Sequence, residues 1–322
     1  MTEGFGHLRQ LRKFLFGISL EETTFARRGF RGGEVGPRRR LEQIGNIFLK
    51  GYHAALEEDS RESLALRLNA VEAEYRGFAF EGAGMGLALL DHVAPFRGNR
   101  LQAFLEGPGG AHVYMVHVGA GWALARLPWL RCRVERSLAR LDPLLRWLTM
   151  DGYGFHEGYF HWRRLVETRA IPDGLAGYAS RAFSQGLGRS LWFVHGADVD
   201  RIPRTIAAFP PSRHADLWAG VGLACAYAGG LERQCLEALL IKAGPDAPAL
   251  AQGAAFAAKA RQRADNPAAH TDIACQVLCG LSADAAAYLC DVALKDLPPD
   301  GAEPAYEVWR QRIQAQLAEL RG

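Results

Sequence analysis

The feature that most constrains this chain is a period. Apolar residues return every three or four positions along most of its 322 residues, and no segment alternates apolar with polar residues for long enough to make a convincing strand. An all-α, compact multi-helix protein is the expectation. Arg39 to Glu58 places Leu41, Ile44, Phe48 and Tyr52 on one stripe, and Glu307 to Leu320 places Trp309, Ile313, Leu317 and Leu320 on another. Pro and Gly gather at 107–110, 171–174, 209–211, 244–245 and 297–301, which divides the chain into roughly a dozen helices. Ser212 or Asp216 is placed to open the helix after Pro211, and Asp300 to end a turn before the last helix.

A hydrophobic content of 49% over this length supports a large core, read as one compact body over 38–322 behind an N-terminal arm, 1–37. The 38 basic and 35 acidic residues are spread along the chain, so nothing suggests nucleic acid as a partner. Arg27, Arg28, Arg31, Arg38, Arg39 and Arg40, interleaved with Gly29, Gly32 and Gly33, read as a solvated flexible arm, with docking to an acidic partner as the alternative. Arg9, Arg12 and Lys13 interrupt the amino terminus and disfavour a secretory signal. The longest runs without Lys, Arg, Asp or Glu, 107–125 and 217–231, are a Pro- and Gly-interrupted stretch and one too short to span a bilayer. A cytoplasmic protein that is not integral to a membrane is therefore expected. Six cysteines without a CxxC pair, including Cys132 and the one-turn pair Cys275 and Cys279, read as reduced structural thiols.

Self-similarity is present. Gly45, Phe48, Gly51 and Tyr52 recur as Gly152, Phe155, Gly158 and Tyr159, a separation of 107. Residues 83–88 recur at 219–224, 136 further on, and 119–123 at 253–257, 134 further on. Two tandem similar halves, about 38–146 and 147–322, account for the order of these blocks, with an insertion of about 29 residues in the second. The Gly82 to Gly86 block lacks the preceding strand and spacing of a phosphate-binding loop. Its small residues instead suit close helix packing, which also leaves room for the wall of a pocket for a flat, elongated apolar ligand.

The densest polar and aromatic cluster is Asp151 to Trp162. Tyr153, Glu157 and His161 are spaced by four on one helical face, with His156 about 100° around from Glu157. A Glu and a His on one face suit metal binding or acid–base work, although His156 and His161, five apart, do not make an HExxH site. The plain alternative is a buried His–Glu hydrogen bond among aromatic rings. Glu81, between Phe80 and Gly82, and His117, between Val116 and Val118, are polar residues in apolar helices. Buried charge needs a partner, so Glu81 implies either an arginine salt bridge or a ligand or proton-transfer role. Asp91, His92 and His112 read as capping or surface groups. The catalytic candidates are thus Glu81, His117, His156, Glu157 and His161. The ligand-binding candidates are Tyr114, Trp122, Tyr153, Tyr159, Arg189, Trp192 and Trp218, expected to converge in a water-poor interior. A di-metal centre lacks its paired ExxH motif, and Ser190 lacks a nucleophile-elbow setting. Whether a metal or flavin is needed stays open.

These residues also carry a family resemblance. Phe25 to Phe30, Gly51 to His53, Arg76 to Ala83, His117 to Ala123, Asp151 to Gly158, Gly188 to Phe193 and Leu217 to Gly222 resemble the UnbL-like enediyne biosynthesis proteins, over nearly the whole chain. The resemblance implies a role in antibiotic biosynthesis, in making or tailoring an enediyne core from a linear conjugated polyene of polyketide origin, together with other enediyne pathway proteins. It carries no settled catalytic residues. Two expectations follow: a protein that binds the polyene and helps convert it, or a non-catalytic protein that shields it and hands it on.

Overall fold

The computed structural model describes residues 10–94, 99–127, 129–130, 137–172 and 174–320, so Arg9, Cys132 and Asp173 lie outside the described residues. Every regular element among the described residues is helical. After a short α1 (Phe25–Arg28), seven long helices form the inside: α2 (Val35–Glu57), α4 (Ala73–Val93), α6 (Val113–Arg126), α7 (Arg146–Phe160), α9 (Gly177–Val194), α11 (His214–Ala228) and α13 (Ala247–Arg263). Shorter helices connect most of them: α3 (Arg61–Asn69), α5 (Arg100–Leu105), α8 (Trp162–Thr168), α10 (Arg201–Ala207) and α12 (Arg233–Ala243). The chain ends with α14 (Ala269–Leu278), α15 (Ala283–Leu294) and α16 (Ala305–Glu319).

Successive long helices run parallel, because their contacts keep a near-constant offset. Phe80 stacks on His112 while Gly84 abuts Val116. Asp151 bonds Gln185 while Gly158 abuts Ser190. The backbone of α11 meets Gly253 of α13 at Ala219 and Arg261 at Tyr227.

A Gly-x-Gly pair in each of the five middle long helices makes these approaches. The pairs are Gly82/Gly84, Gly119/Gly121, Gly152/Gly154, Gly186/Gly188 and Gly220/Gly222. In every pair the first glycine faces the preceding long helix and the second the following one. A Cβ on Gly186 would lie 1.8 Å from the Asp151 carbonyl oxygen, and one on Gly188 would lie 2.1 Å from that of Leu217. Gly51 and Gly253 end the series with one such contact each. Backbone against backbone is what small residues permit, and here each helix uses two faces for it.

The first glycines recur at 82, 119, 152, 186, 220 and 253, so the repeating unit is one long helix and its return, about 34 residues. The separations of 107, 134 and 136 seen in the sequence are three and four of these steps. Helices four steps apart also touch: the Phe78 ring of α4 lies 5.1 Å from Tyr227 of α11, and the Arg263 guanidinium of α13 lies 5.8 Å over Tyr114 of α6. The row therefore coils into a superhelix whose axis is filled with side chains.

The arginine-rich segment is not a solvated arm. Ile18, Phe25 and Phe30 are buried, and Arg28 donates to the Phe160 carbonyl at 2.7 Å and pairs with Glu22 at 2.6 Å. Residues 18–33 thus form a strap over the C-terminal ends of the inner helices. Arg40 pairs with Glu74 and caps the Ala228 carbonyl at 2.5 Å. His112 is no surface group either: it is buried, stacked 3.9 Å from Phe80, and burial lowers its pKa to about 4. Asp91 does cap, accepting from the backbone N–H groups of Arg100 and Leu101. Asp216 does not open α11; it pairs with Arg181 and Arg310. Cys225, Cys235, Cys275, Cys279 and Cys290 are free thiols. Among the described residues no single helix is long and apolar enough to cross a membrane; α14 and α15 reach that composition only as a pair bent by 66°.

Candidate functional site

Two narrow cavities lie along the superhelix axis. The first, about 40 Å³, has room for a few water molecules. Its walls are Ile44, Phe48, Leu49, Phe78, Trp122, Phe155, Tyr159, Phe160 and Phe193, closed over by Ile18, Glu22 and Thr23 of the strap. The rings interlock: Trp122 lies 4.6 Å from Phe48 and 5.0 Å from Phe155, and Phe155 lies 5.2 Å from Phe193. Two carboxyl groups reach this cavity: Glu22 of the strap, paired with Arg27 and Arg28, and Glu81 in the wall.

Glu81 is 1% exposed, and neither of its oxygens closes a hydrogen bond. Burial raises its pKa to about 7, against the pull of Arg189, whose Nη2 is 3.9 Å from Oε2. The Trp122 indole N–H pulls in the same direction without closing a hydrogen bond of good geometry. Arg189 belongs first to Asp151, at 2.5 Å, and its guanidinium lies 4.7 Å over the Phe155 ring. Burial works against the Arg189 charge, yet Asp151 and Glu81 leave its pKa raised. Asp151 is also bonded by the Gln185 amide at 2.8 Å. With Asp151 and Arg189 matched, Glu81 is the unbalanced member, and its carboxyl is held in the protonated form up to near neutral pH.

The second cavity, about 30 Å³, lies on the other side of Arg189. It is lined by Tyr114, Met115, Val118, Leu148, Leu223, Tyr227, Phe256, Ala257, Lys259, Ala260 and Trp309.

The five polar candidates do not form one site. Glu81 reaches the first cavity. His117 is buried but satisfied, its Nδ1 2.7 Å from the Val113 carbonyl one turn back, and burial lowers its pKa. His156 and Glu157 form the buried pair at 3.3 Å, next to Arg164 at 3.3 Å from Glu157. Burial lowers the His156 pKa against the pull of Glu157, and its ring stands edge-on to Trp122 at 5.5 Å. His161 lies just past the end of α7 with its side chain 47% exposed, 3.9 Å from Glu157. Convergence is thus partial: Glu81 and His156 flank Trp122, His161 meets Glu157 from the exposed end of α7, and His117 stands apart.

Of the ligand candidates, Trp122 and Tyr159 line the first cavity, and Tyr114 and Arg189 the second. Tyr153, Trp192 and Trp218 line neither. Tyr153 packs on Phe183, the Trp192 indole donates to the Gly229 carbonyl, and Trp218 is buried core. The sequence reading missed Phe48, Phe78, Phe155 and Phe193 as lining, and Asp151 as the partner of Arg189. Asp151 carried the same signal as Glu81, a charged residue inside an apolar helix. No group of three or more His, Cys, Asp or Glu side chains placed to hold a metal ion occurs among the described residues.

Fold and site together define an all-helical, glycine-interlocked superhelix with a buried aromatic slot and one protonatable carboxyl. The chain belongs to the family described as "Protein of unknown function (DUF1702)", whose model matches residues 7–317. No curated protein and no solved structure matches it.

Proposed function

We propose that the protein takes a slender, flat, unsaturated apolar molecule into the aromatic slot beside Glu81. In the setting implied by resemblance to the UnbL-like enediyne proteins, this is a linear conjugated polyene on its way to the enediyne core. The observation that carries the reading is the Glu81 carboxyl, held without a hydrogen bond in a wall otherwise built of apolar side chains and interlocked rings. The rings are in tilted and edge-on contact with one another, so a ligand enters as they part, and a flat π system parts them less than a thicker saturated chain.

The protein's own chemistry is redox-neutral. Protonated Glu81 gives its proton to one carbon of the bound chain, and the resulting carboxylate removes a proton from another. A double bond migrates, and the carboxyl returns to its starting form. Removing hydrogen to form alkynes would fall to a partner oxidoreductase that receives the chain. The strap, closing the slot with Ile18, Glu22 and Thr23, keeps water from the reactive chain.

A second reading, a non-catalytic holder that delivers the polyene to partner enzymes, is favoured by one observation. The other carboxylate that lines the slot among the described residues, Glu22, is already paired with Arg27 and Arg28. Incubation of the purified protein with a linear conjugated polyene, followed by absorption spectroscopy, separates the two. A time-dependent change of chromophore that Glu81→Gln abolishes, with binding retained, supports the enzyme. A spectrum shifted at once and then constant, the same in both proteins, supports the holder. A spectrum unaffected by protein rejects both.

A further inference from the structure

We infer that the two cavities are arms of one passage, and that it takes an elongated, flat apolar molecule bearing a neutral hydrogen-bond acceptor such as a carbonyl near its middle. The inference rests on the reading of the slot beside Glu81 and adds the other half of the ligand.

Position supports continuity. Helices α6, α7 and α9 line both cavities, at different levels: α6 with Trp122 and then Tyr114 to Val118, α7 with Phe155 to Phe160 and then Leu148, α9 with Phe193 and then Arg189. The helices run parallel, so the cavities lie end to end along them. Glu81 lines the first and Arg189 the second, with 3.9 Å between their charged groups. Phe78 of the first likewise meets Tyr227 of the second at 5.1 Å, so side chains alone part the two.

The Glu81 and Arg189 pair is also where hydrogen-bonding capacity is unused. Both Glu81 oxygens and the Arg189 Nε–H lack hydrogen-bond partners, and both residues are buried. Buried groups of this kind are costly unless something completes them. A carbonyl oxygen between them would accept from Arg189 and from the protonated Glu81. A carboxylate there would be unmatched, because the Arg189 charge is already met by Asp151. The centre therefore selects a neutral acceptor, and the two apolar cavities select an arm on each side.

Three probes test this. Dibenzylideneacetone carries a flat aryl-vinyl arm on each side of a ketone, benzylideneacetone carries only one such arm, and diphenylbutadiene is a flat hydrocarbon with no acceptor. The two-armed ketone is expected to bind one-to-one and at least about ten-fold tighter than either comparison compound. Ala260→Leu and Ala257→Leu, which fill the second cavity, are expected to remove that advantage, with an unaltered helical circular dichroism spectrum showing that each variant is folded. Equal binding of the two ketones by the unaltered protein, equal binding of the hydrocarbon, or an advantage that survives both substitutions overturns the passage. In those cases binding of the one-armed ketone leaves the first slot's reading standing, whereas failure of all three probes to bind sinks both.

Discussion

A carboxyl group without a hydrogen bond in an apolar interior destabilises the fold that contains it. For Glu81 the displacement from 4.5 to about 7 gives the scale, ~3 kcal/mol once the group is fully ionised. The folded value lies above the unfolded one, so the folded protein holds the proton more tightly. Its relative stability is fullest below pH 4.5 and is lost as pH rises through about 7. Glu81→Gln should therefore be more stable than the unaltered protein at pH 8, by up to about 3 kcal/mol, with the difference vanishing near pH 4. Denaturant unfolding at the two pH values checks this. If Glu81 acts as the acid, conversion should also fall as pH rises through about 7. Glu81 was legible in the sequence because a charged residue flanked by Phe80 and Gly82 has few ways to reach water. His161 does meet Glu157 at 3.9 Å, as its spacing implied, but it misled as to burial: α7 ends at Phe160, so His161 sits at the helix end with its side chain 47% exposed. Asp151 was overlooked because it stood beside more conspicuous histidines.

At the scale of the element, the glycine pairs set the distance between long helices. Gly186→Ala would place a Cβ 1.8 Å from the Asp151 carbonyl oxygen, backbone that cannot swing aside. It should cost more than about 3 kcal/mol or prevent folding, beyond the usual range for single substitutions. Gly36→Ala, with nothing beyond its chain neighbours within 4 Å of the new Cβ, should instead change stability by less than about 1 kcal/mol, helix propensity being offset by the proline that follows. Thermal unfolding of the pair distinguishes close approach from helix propensity. The strap makes a separate prediction: Arg28→Ala removes its bonds to Glu22 and to the Phe160 carbonyl, and should speed ligand uptake in stopped-flow mixing. Helices were legible from periodicity, and the glycine blocks as packing devices. The strap was not, because arginines that cap carbonyls and stack on rings look in sequence like arginines in water.

For the whole molecule, coiling matters more than repetition. An open row of repeats contacts only its neighbours and can unfold piecemeal. Here Phe78 meets Tyr227, and Arg40 caps the end of α11, so distant repeats support one another. A single unfolding transition, coincident by circular dichroism and tryptophan fluorescence, is expected. The period of about 34 residues was concealed because the long helices share little beyond their glycine pairs. Only the separations of three and four steps stood out, and they suggested halves. Which side chains faced the axis was not legible either, since it depends on how far the row turns at each step.

The most direct test of an aromatic slot beside Glu81 is energy transfer to diphenylhexatriene, a flat polyene that fluoresces when removed from water. With excitation of tryptophan, the unaltered protein should transfer to one bound probe, and Trp122→Phe should lower the signal more than Trp218→Phe, because only Trp122 lines the slot. A probe that stays dark, or transfer that survives Trp122→Phe undiminished, would contradict the account.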